Sequence, residues 1–260
     1  MVSFKIIESR KNETIKFVKS LYDKKNREIN KLIVVEGKKF IQDLHAFDVK
    51  FKMIFFLKEL YNEFKDFIDL IECEKYLINK NVLDYLSSKI TPQGILAIVK
   101  MPDVTQRVPP GHVLILDNIQ DAGNLGTILR TALATNFLDV ILLNCVDVFN
   151  EKVINSSMTA IFKLNLLKLD DLQLKDYLIK YNLKLLIADL DGINAFEYVG
   201  YKDDFALLIG SEGQGVNAKL KDLANDTITL PMNKNIESLN ASVSAGILMY
   251  LIDNKGKTFY

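Results

Sequence analysis

The chain is poor in the residues from which metal centres, disulfide frameworks and histidine-based triads are built. Its two cysteines, Cys73 and Cys145, have neither metal-ligand spacing nor partners for a disulfide framework. Two histidines, His45 and His112, are too few for a His-rich metal site and a poor basis for a Ser–His–Asp triad. Long apolar runs are missing too. The longest, residues 243–252, contains Ser and Gly and is about half of the roughly 20 residues a membrane-spanning helix needs. The opening residues, MVSFKIIESRKNE, lack the apolar core of a secretory signal. Nor is there net charge: 33 Lys+Arg balance 33 Asp+Glu, which excludes a uniformly basic nucleic-acid coat but not a local basic patch. These absences lead to the expectation of a reduced, cytoplasmic protein without metal or membrane span.

What is present is a globular composition. Of 260 residues 49% are hydrophobic and 25% charged, enough apolar content for one large core or for two domains of about 100–150 residues. The charge is uneven. Residues 1–52 carry 13 Lys/Arg against seven Asp/Glu, an excess of six that the rest of the chain cancels. Such asymmetry fits an anionic partner for this segment, and equally a set of solvated helix faces.

Three of the five prolines, Pro102, Pro109 and Pro110, fall within residues 100–111, which read as a linker because proline and the residue before it favour extended conformations. Domains are therefore expected at 1–100 and 112–260, joined by 101–111. In the first, helical patterns (12–22, 37–47, 81–88) alternate with strands (31–35, 53–57, 94–99), the mark of a small α/β domain. In the second, short apolar runs at 113–117, 139–145, 183–189, 205–210 and 227–232 suit buried parallel strands. Between the first two, Leu125, Ile128, Leu129, Ala132 and Leu133 follow the i, i+3, i+4, i+7, i+8 spacing of a helix with one core-facing side. A final helix is expected to open at Ser238, a good N-cap residue, and to run to about Ile252.

In an open α/β sheet, ligands bind beyond the carboxyl ends of strands, and three loops there have unusual composition. DNIQDAGNLGTILRTA (117–132) passes through Gly123, Asn124 and Gly126 and leaves Arg130 off the apolar stripe. IGSEGQGV (209–216) surrounds Glu212 with Gly210, Gly213 and Gly215. LPMNKNIESLNASVSAG (230–246) leads from a strand through Ser238, Leu239 and Asn240 into a helix of small residues. Taken singly, each has a plain structural reading as a tight connection, a flexible turn, or a cap with ordinary packing. None is a dinucleotide fingerprint or a P-loop, since G-x-G-x-x-G and G-K-[ST] are absent, which argues against a nucleotide-dependent oxidoreductase.

Together and in this order, the three loops resemble motifs one, two and three of the SpoU (TrmH-like) RNA 2′-O-ribose methyltransferases of the SPOUT superfamily. The resemblance extends to VEGKKFIQDL (35–44) and ITPQGILAIV (90–99), which are similar to the ribosomal-protein-like substrate-binding domain of many such enzymes. It implies an N-terminal α/β RNA-binding domain and a C-terminal SPOUT α/β domain with a parallel sheet and a trefoil knot, although knots are otherwise essentially absent from proteins. It implies methyl transfer from S-adenosylmethionine (AdoMet), without a metal, to a ribose 2′-hydroxyl of structured RNA, by a homodimer with residues of both subunits near the active site. Ribosomal RNA is favoured over transfer RNA because the shorter transfer-RNA-specific members lack the N-terminal domain.

By motif, the resemblance makes Asn124, Arg130, Glu212, Ser238 and Asn240 the catalytic set. It makes Gly210, Glu212, Gly213, Leu230, Met232 and Leu239 the cofactor site. Family models use the motif-one Arg as base. A guanidinium is hardly ever deprotonated, so Arg130 is instead expected to orient the ribose and stabilise charge on the 2′-oxygen. In the basic segment, Arg10, Lys11, Lys24, Lys25 and Arg27 are the candidate RNA contacts. The chain departs from the family pattern at Ala122, often Pro, at Asn155, commonly Arg, and at Thr159, commonly Gly. The rival reading is a catalytically silent RNA-binding module of the same fold. Retention of the catalytic set argues against it.

Overall fold

In a computed structural model of the chain, all residues are described except 1–3, 104–106, 108, 110, 203, 212, 214 and 256–260. The chain divides into two units, Met1–Pro102 with Phe149–Asn155, and Asp103–Val148 with Ser156–Tyr260. The first unit is thus not one continuous stretch, as a single division at 101–111 has it.

The first unit holds a mixed five-stranded sheet and five helices. In chain order these are β1 (Lys5–Ile7), α1 (Glu13–Ser20), α2 (Lys24–Asn30), β2 (Leu32–Glu36), α3 (Lys38–Ala46), β3 (Phe51–Leu57), α4 (Tyr61–Ile68), β4 (Glu74–Ile78), α5 (Lys80–Leu86) and β5 (Ile95–Lys100). The sheet order is β1-β4-β3-β5-β2. β5 runs antiparallel to both its neighbours and the other pairs are parallel. Its α/β character is as expected, with β1, α2, α4 and β4 added. β1, α2 and β4 are short or flanked by charge, whereas α4 has a helical apolar stripe, Tyr61, Phe64 and Ile68, that sequence reasoning missed.

The second unit is built on six parallel strands: β6 (Val113–Asp117), β7 (Asp139–Leu143), β8 (Asn165–Lys168), β9 (Lys184–Asn194), β10 (Phe205–Ile209) and β11 (Asp226–Thr229). Their order is β11-β9-β10-β6-β7-β8. β6, β7 and β10 are buried along their whole length, which is why they read as unbroken apolar runs rather than alternating ones. From β6 the chain builds outward through β7 and β8, then returns to the other side of β6 for β9, β10 and β11. The reversal puts the topological switch beside β6 and β10, where ligands of such sheets bind.

The remaining helices are α6 (Ala122–Ala134), α7 (Glu151–Ser157), α8 (Asp171–Lys180), α9 (Ala218–Lys221) and α10 (Ala241–Lys255). α6 buries Leu125, Ile128, Leu129 and Ala132 and keeps Arg130 exposed. Ala122 is its first residue, a position that tolerates Pro but does not require it. Thr159 has φ −78°, ordinary for an L-residue, so the family glycine is not needed there.

Three expectations are corrected. α10 opens at Ala241, not Ser238, and ends at Lys255 rather than Ile252. Its cap is Asn240, whose Oδ1 accepts from the backbone N–H of Ser242 (3.0 Å) and Val243 (3.3 Å). β11 stops at Thr229, so Leu230–Met232 is not strand. β9 does not end at residue 189: Thr227 pairs with Ile187 but the next residue, Ile228, pairs with Ile193. Residues 188–192 therefore bulge against β11 without register partners on it, although Ala188 still pairs with Ile209 of β10, and a Cβ on Gly192 would lie 2.7 Å from the Thr227 carbonyl oxygen.

Candidate active site

The site is assembled at the carboxyl ends of β6, β9, β10 and β11. Asn118 and Asn144 turn the chain off β6 and β7 in left-handed conformations (φ 55° and 49°), which asparagine tolerates. Asp121 caps α6 by accepting the backbone N–H of Asn124 at 2.7 Å. The Asn124 side chain meets motif three: its Oδ1 accepts from Asn240 Nδ2 at 3.1 Å. The direction is set by the cap of α10: Asn240 Oδ1 takes N–H and O–H donors, so its amino group must face Asn124. Motifs one and three thus meet through two amides 116 positions apart.

Motif two closes on itself. Gly215 N–H donates to the Ser211 carbonyl at 2.9 Å, and Gly215 sits at φ 63°. Gly210 lies so near this return that a Cβ there would stand 2.6 Å from Val216 N and collide with the Gly215 carbonyl. Asp117, buried at the end of β6, holds the loop from below by accepting Asn217 N–H at 3.0 Å. Burial pushes its carboxyl above the usual value, against the lowering effect of that hydrogen bond.

Two adjoining cavities result. The larger, about 380 Å³, is lined by Gly210, Gly213, Leu230, Met232 and Leu239, the cofactor residues expected from the motifs apart from Glu212, and by Ser238 of the expected catalytic set. Sequence reasoning missed the wall made by Ala188, Asp189 and Leu190, in the segment that bulges against β11, and missed Lys221, which forms an ion pair with Asp189. The one available signal was the polar DLDG that ends an apolar run. The smaller cavity, about 290 Å³, is lined by Asn118, Gln120, Asp121 and Asn124, and shares Ser211, Gly213 and Ala241 with the first. Gln120 donates to Asn118 Oδ1 (2.9 Å) and to the Asn144 carbonyl (2.5 Å).

Arg130 is not brought into either cavity. It follows Asn124 by six residues, about 240° of helical rotation, and is exposed. Glu212 lies outside the described residues. Burial pushes both cysteine thiols up to about 11, which disfavours the thiolate at neutral pH. Among the described residues no group of three or more His, Cys, Asp and Glu is placed to hold a metal ion, and no helix is long and apolar enough to cross a membrane.

Of the basic candidates in the first unit, Arg10, Lys11, Lys24 and Lys25 are exposed. Arg27 is not. Only 5% exposed, it donates to the carbonyls of Leu21 (3.1 Å) and Tyr22 (2.6 Å), tying down the turn between α1 and α2. The expectation that Arg27 contacts RNA is corrected accordingly: its guanidinium is turned inward.

A parallel α/β sheet with a cavity at its switch point, adjoined by a second cavity, is the architecture of an α/β protein that binds small molecules at the carboxyl ends of its strands. The profile of the SpoU rRNA Methylase family matches residues 111–250, and that of the MRM3-like substrate binding domain matches residues 12–97. The chain belongs to the SpoU rRNA methylase family and is an RNA methyltransferase. It is 30% identical to the 23S rRNA (guanosine(2553)-2′-O)-methyltransferase RlmP of Bacillus subtilis, over 95% of this chain and 98% of that one. It is 29% identical to the mitochondrial rRNA methyltransferase 3A of Danio rerio, over 84% and 62% respectively. Its fold is that of the SpoU methyltransferase AviRb of Streptomyces viridochromogenes, solved with AdoMet (TM-score 0.86, 21% identity, 94% of this chain and 98% of that one). It is likewise that of the AdoMet-bound rRNA methyltransferase of Sinorhizobium meliloti (TM-score 0.84, 21% identity, 98% and 99%).

Proposed function

We propose that this chain transfers the methyl group of AdoMet to a ribose 2′-hydroxyl of ribosomal RNA in the cytoplasm. The observation that carries the reading is the pairing of two cavities through a shared wall of Ser211, Gly213 and Ala241, with the Asn124–Asn240 amide pair bringing motif one to motif three. The larger cavity fits AdoMet. Its volume is within the range of about 300–1000 Å³ common for small-molecule sites. The close backbone return at Gly210 is a cradle that any side chain would fill. Leu230, Met232 and Leu239 offer an apolar wall for a purine, while Asp189 and Lys221 supply charge for its polar end. When bound, AdoMet supplies an electrophilic methyl group on a sulfonium.

The chain's own residues do the rest by placement. Ser238 and the Asn124–Asn240 pair hold the ribose so that its 2′-oxygen lines up with the methyl group, an orientation effect. Arg130 stabilises the charge that develops on that oxygen. Its exposure on α6, turned away from Asn124, supports service in the site of a second subunit. A homodimer is further supported by the exposed apolar stripe Val243, Ile247 and Tyr250 on α10. Glu212 sets the motif-two loop or orients Arg130. Ribosomal rather than transfer RNA is favoured by the separate first unit with its substrate-binding profile.

The test is methyl transfer from labelled AdoMet to unmodified ribosomal and transfer RNA, followed by alkaline hydrolysis. Alkali cuts through the free 2′-hydroxyl, so a 2′-O-methyl leaves a labelled dinucleotide. Label in dinucleotides from ribosomal RNA is the expected result. Label in transfer RNA would move the substrate class, and label in mononucleotides would sink the ribose assignment. AdoMet binding without transfer to either RNA would favour a silent binding module.

A further inference from the structure

Four lysines of the first unit are held in ion pairs. Lys5 pairs with Glu74, Lys16 with Glu13, Lys38 with Glu63 and Lys39 with Asp43. Arg10 and Lys19 form no ion pair with any described residue, yet they are held in place. The Arg10 guanidinium carbon lies 5.5 Å, and the Lys19 ammonium 5.2 Å, from the centre of one ring, that of Tyr85 on α5. Lys19 also stands 4.9 Å from the Tyr22 ring. Arg10 Nε donates to the Asn81 carbonyl at 2.9 Å, fixing the plane of the guanidinium and leaving its two terminal amino groups without a partner among the described residues.

The shared Tyr85 ring gathers two positive charges that no described ion pair neutralises, and such a pair attracts an anion. The guanidinium fork suits the paired oxygens of a phosphodiester, and the ammonium adds a point charge. Because the ring contacts and the Asn81 bond already order both side chains, less rotamer freedom is lost on binding.

We infer that Arg10 and Lys19, braced by Tyr85, form a phosphate clamp that grips the RNA backbone on the first unit. The inference rests on the RNA-directed reading above. It singles out Lys19 and Tyr85, which sequence reasoning passed over.

The experiment measures binding of the full chain to an in vitro transcript of large-subunit ribosomal RNA across a salt series. It compares the unaltered chain, Arg10→Gln/Lys19→Gln, Tyr85→Leu, and the charge-matched control Lys175→Gln/Lys180→Gln on α8. Each lost phosphate contact flattens the plot of log K against log salt by about 0.7–0.9. Because both cations grip one phosphate, the clamp variant should lose about 0.7–0.9 of slope, the control none, and Tyr85→Leu should bind more weakly with nearly unaltered slope. AdoMet affinity by calorimetry and the melting temperature should be unchanged in the clamp variant. A clamp variant with the parental slope, or a control that falls equally, overturns the inference alone. An unaltered chain that binds AdoMet but no RNA overturns it together with the functional reading.

Discussion

Asn240 Nδ2 donates to Asn124 Oδ1 at 3.1 Å, and the two amides are not equivalent partners. Asn240 also caps α10, whereas the cap of α6 is Asp121. Asn240→Ala should therefore lower stability by about 0.5–2 kcal/mol through the lost cap and also slow methyl transfer. Asn124→Ala should slow transfer by roughly 10–1000-fold, as for loss of a preorganised group, with little change in melting temperature. Thermal melts beside single-turnover rates check this; equal destabilisation by both would refute the division of roles.

Gly210 and Gly213 differ although both line the larger cavity. A Cβ on Gly210 meets the backbone at Gly215 and Val216, while one on Gly213 meets nothing within 4 Å. Gly210→Ala should cost about 1–3 kcal/mol, typical of overpacking, and weaken AdoMet binding with it. Gly213→Ala should leave the melting temperature unchanged, so that any loss of AdoMet affinity reports contact with the ligand itself. Differential scanning calorimetry and isothermal titration separate the two effects.

Asp117 gives the site a pH dependence of stability. Burial raises its folded value above the ordinary 3.8. The stability linked to this group is therefore complete below 3.8 and is lost as pH rises through the higher folded value. Asp117→Asn keeps an acceptor for Asn217 N–H and removes the buried charge. It should raise stability at neutral pH and flatten the plot of urea midpoint against pH in that window. A variant with the parental slope would show that another group titrates there.

Arg27 tests a boundary between binding and folding. Arg27→Ala strips donors from the carbonyls of Leu21 and Tyr22 and should destabilise by about 1–3 kcal/mol. The salt dependence of RNA binding should not change. A flattened slope with no loss of stability would return Arg27 to the RNA surface.

Much of the second unit was readable from local pattern. The apolar runs of β6, β7 and β10 and the stripe on α6 mark elements whose periodicity depends on neighbours a few residues away. The end of β9 was not, because its bulge at 188–192 answers to the register of β11, some 40 residues further on. The start of α10 was misplaced by three residues because Ser238 and Asn240 are both good cap residues. The choice fell to Asn240, whose amide also meets Asn124.

By itself, then, the sequence determined the α/β character of both units, most strands and helices of the second, the order of three polar loops at strand ends, and through them the family. Tertiary structure alone decided which groups meet and which are hidden. The Asn124–Asn240 contact, the Asp117–Asn217 bond and the gathering of Arg10 and Lys19 on Tyr85 join residues about 65–115 positions apart. No local periodicity encodes such distances; sheet register and helix packing impose them. Arg27 shows the same principle over a short span. Its charge marks it for solvent, and the turn before α2, with two carbonyls to satisfy, draws it inside.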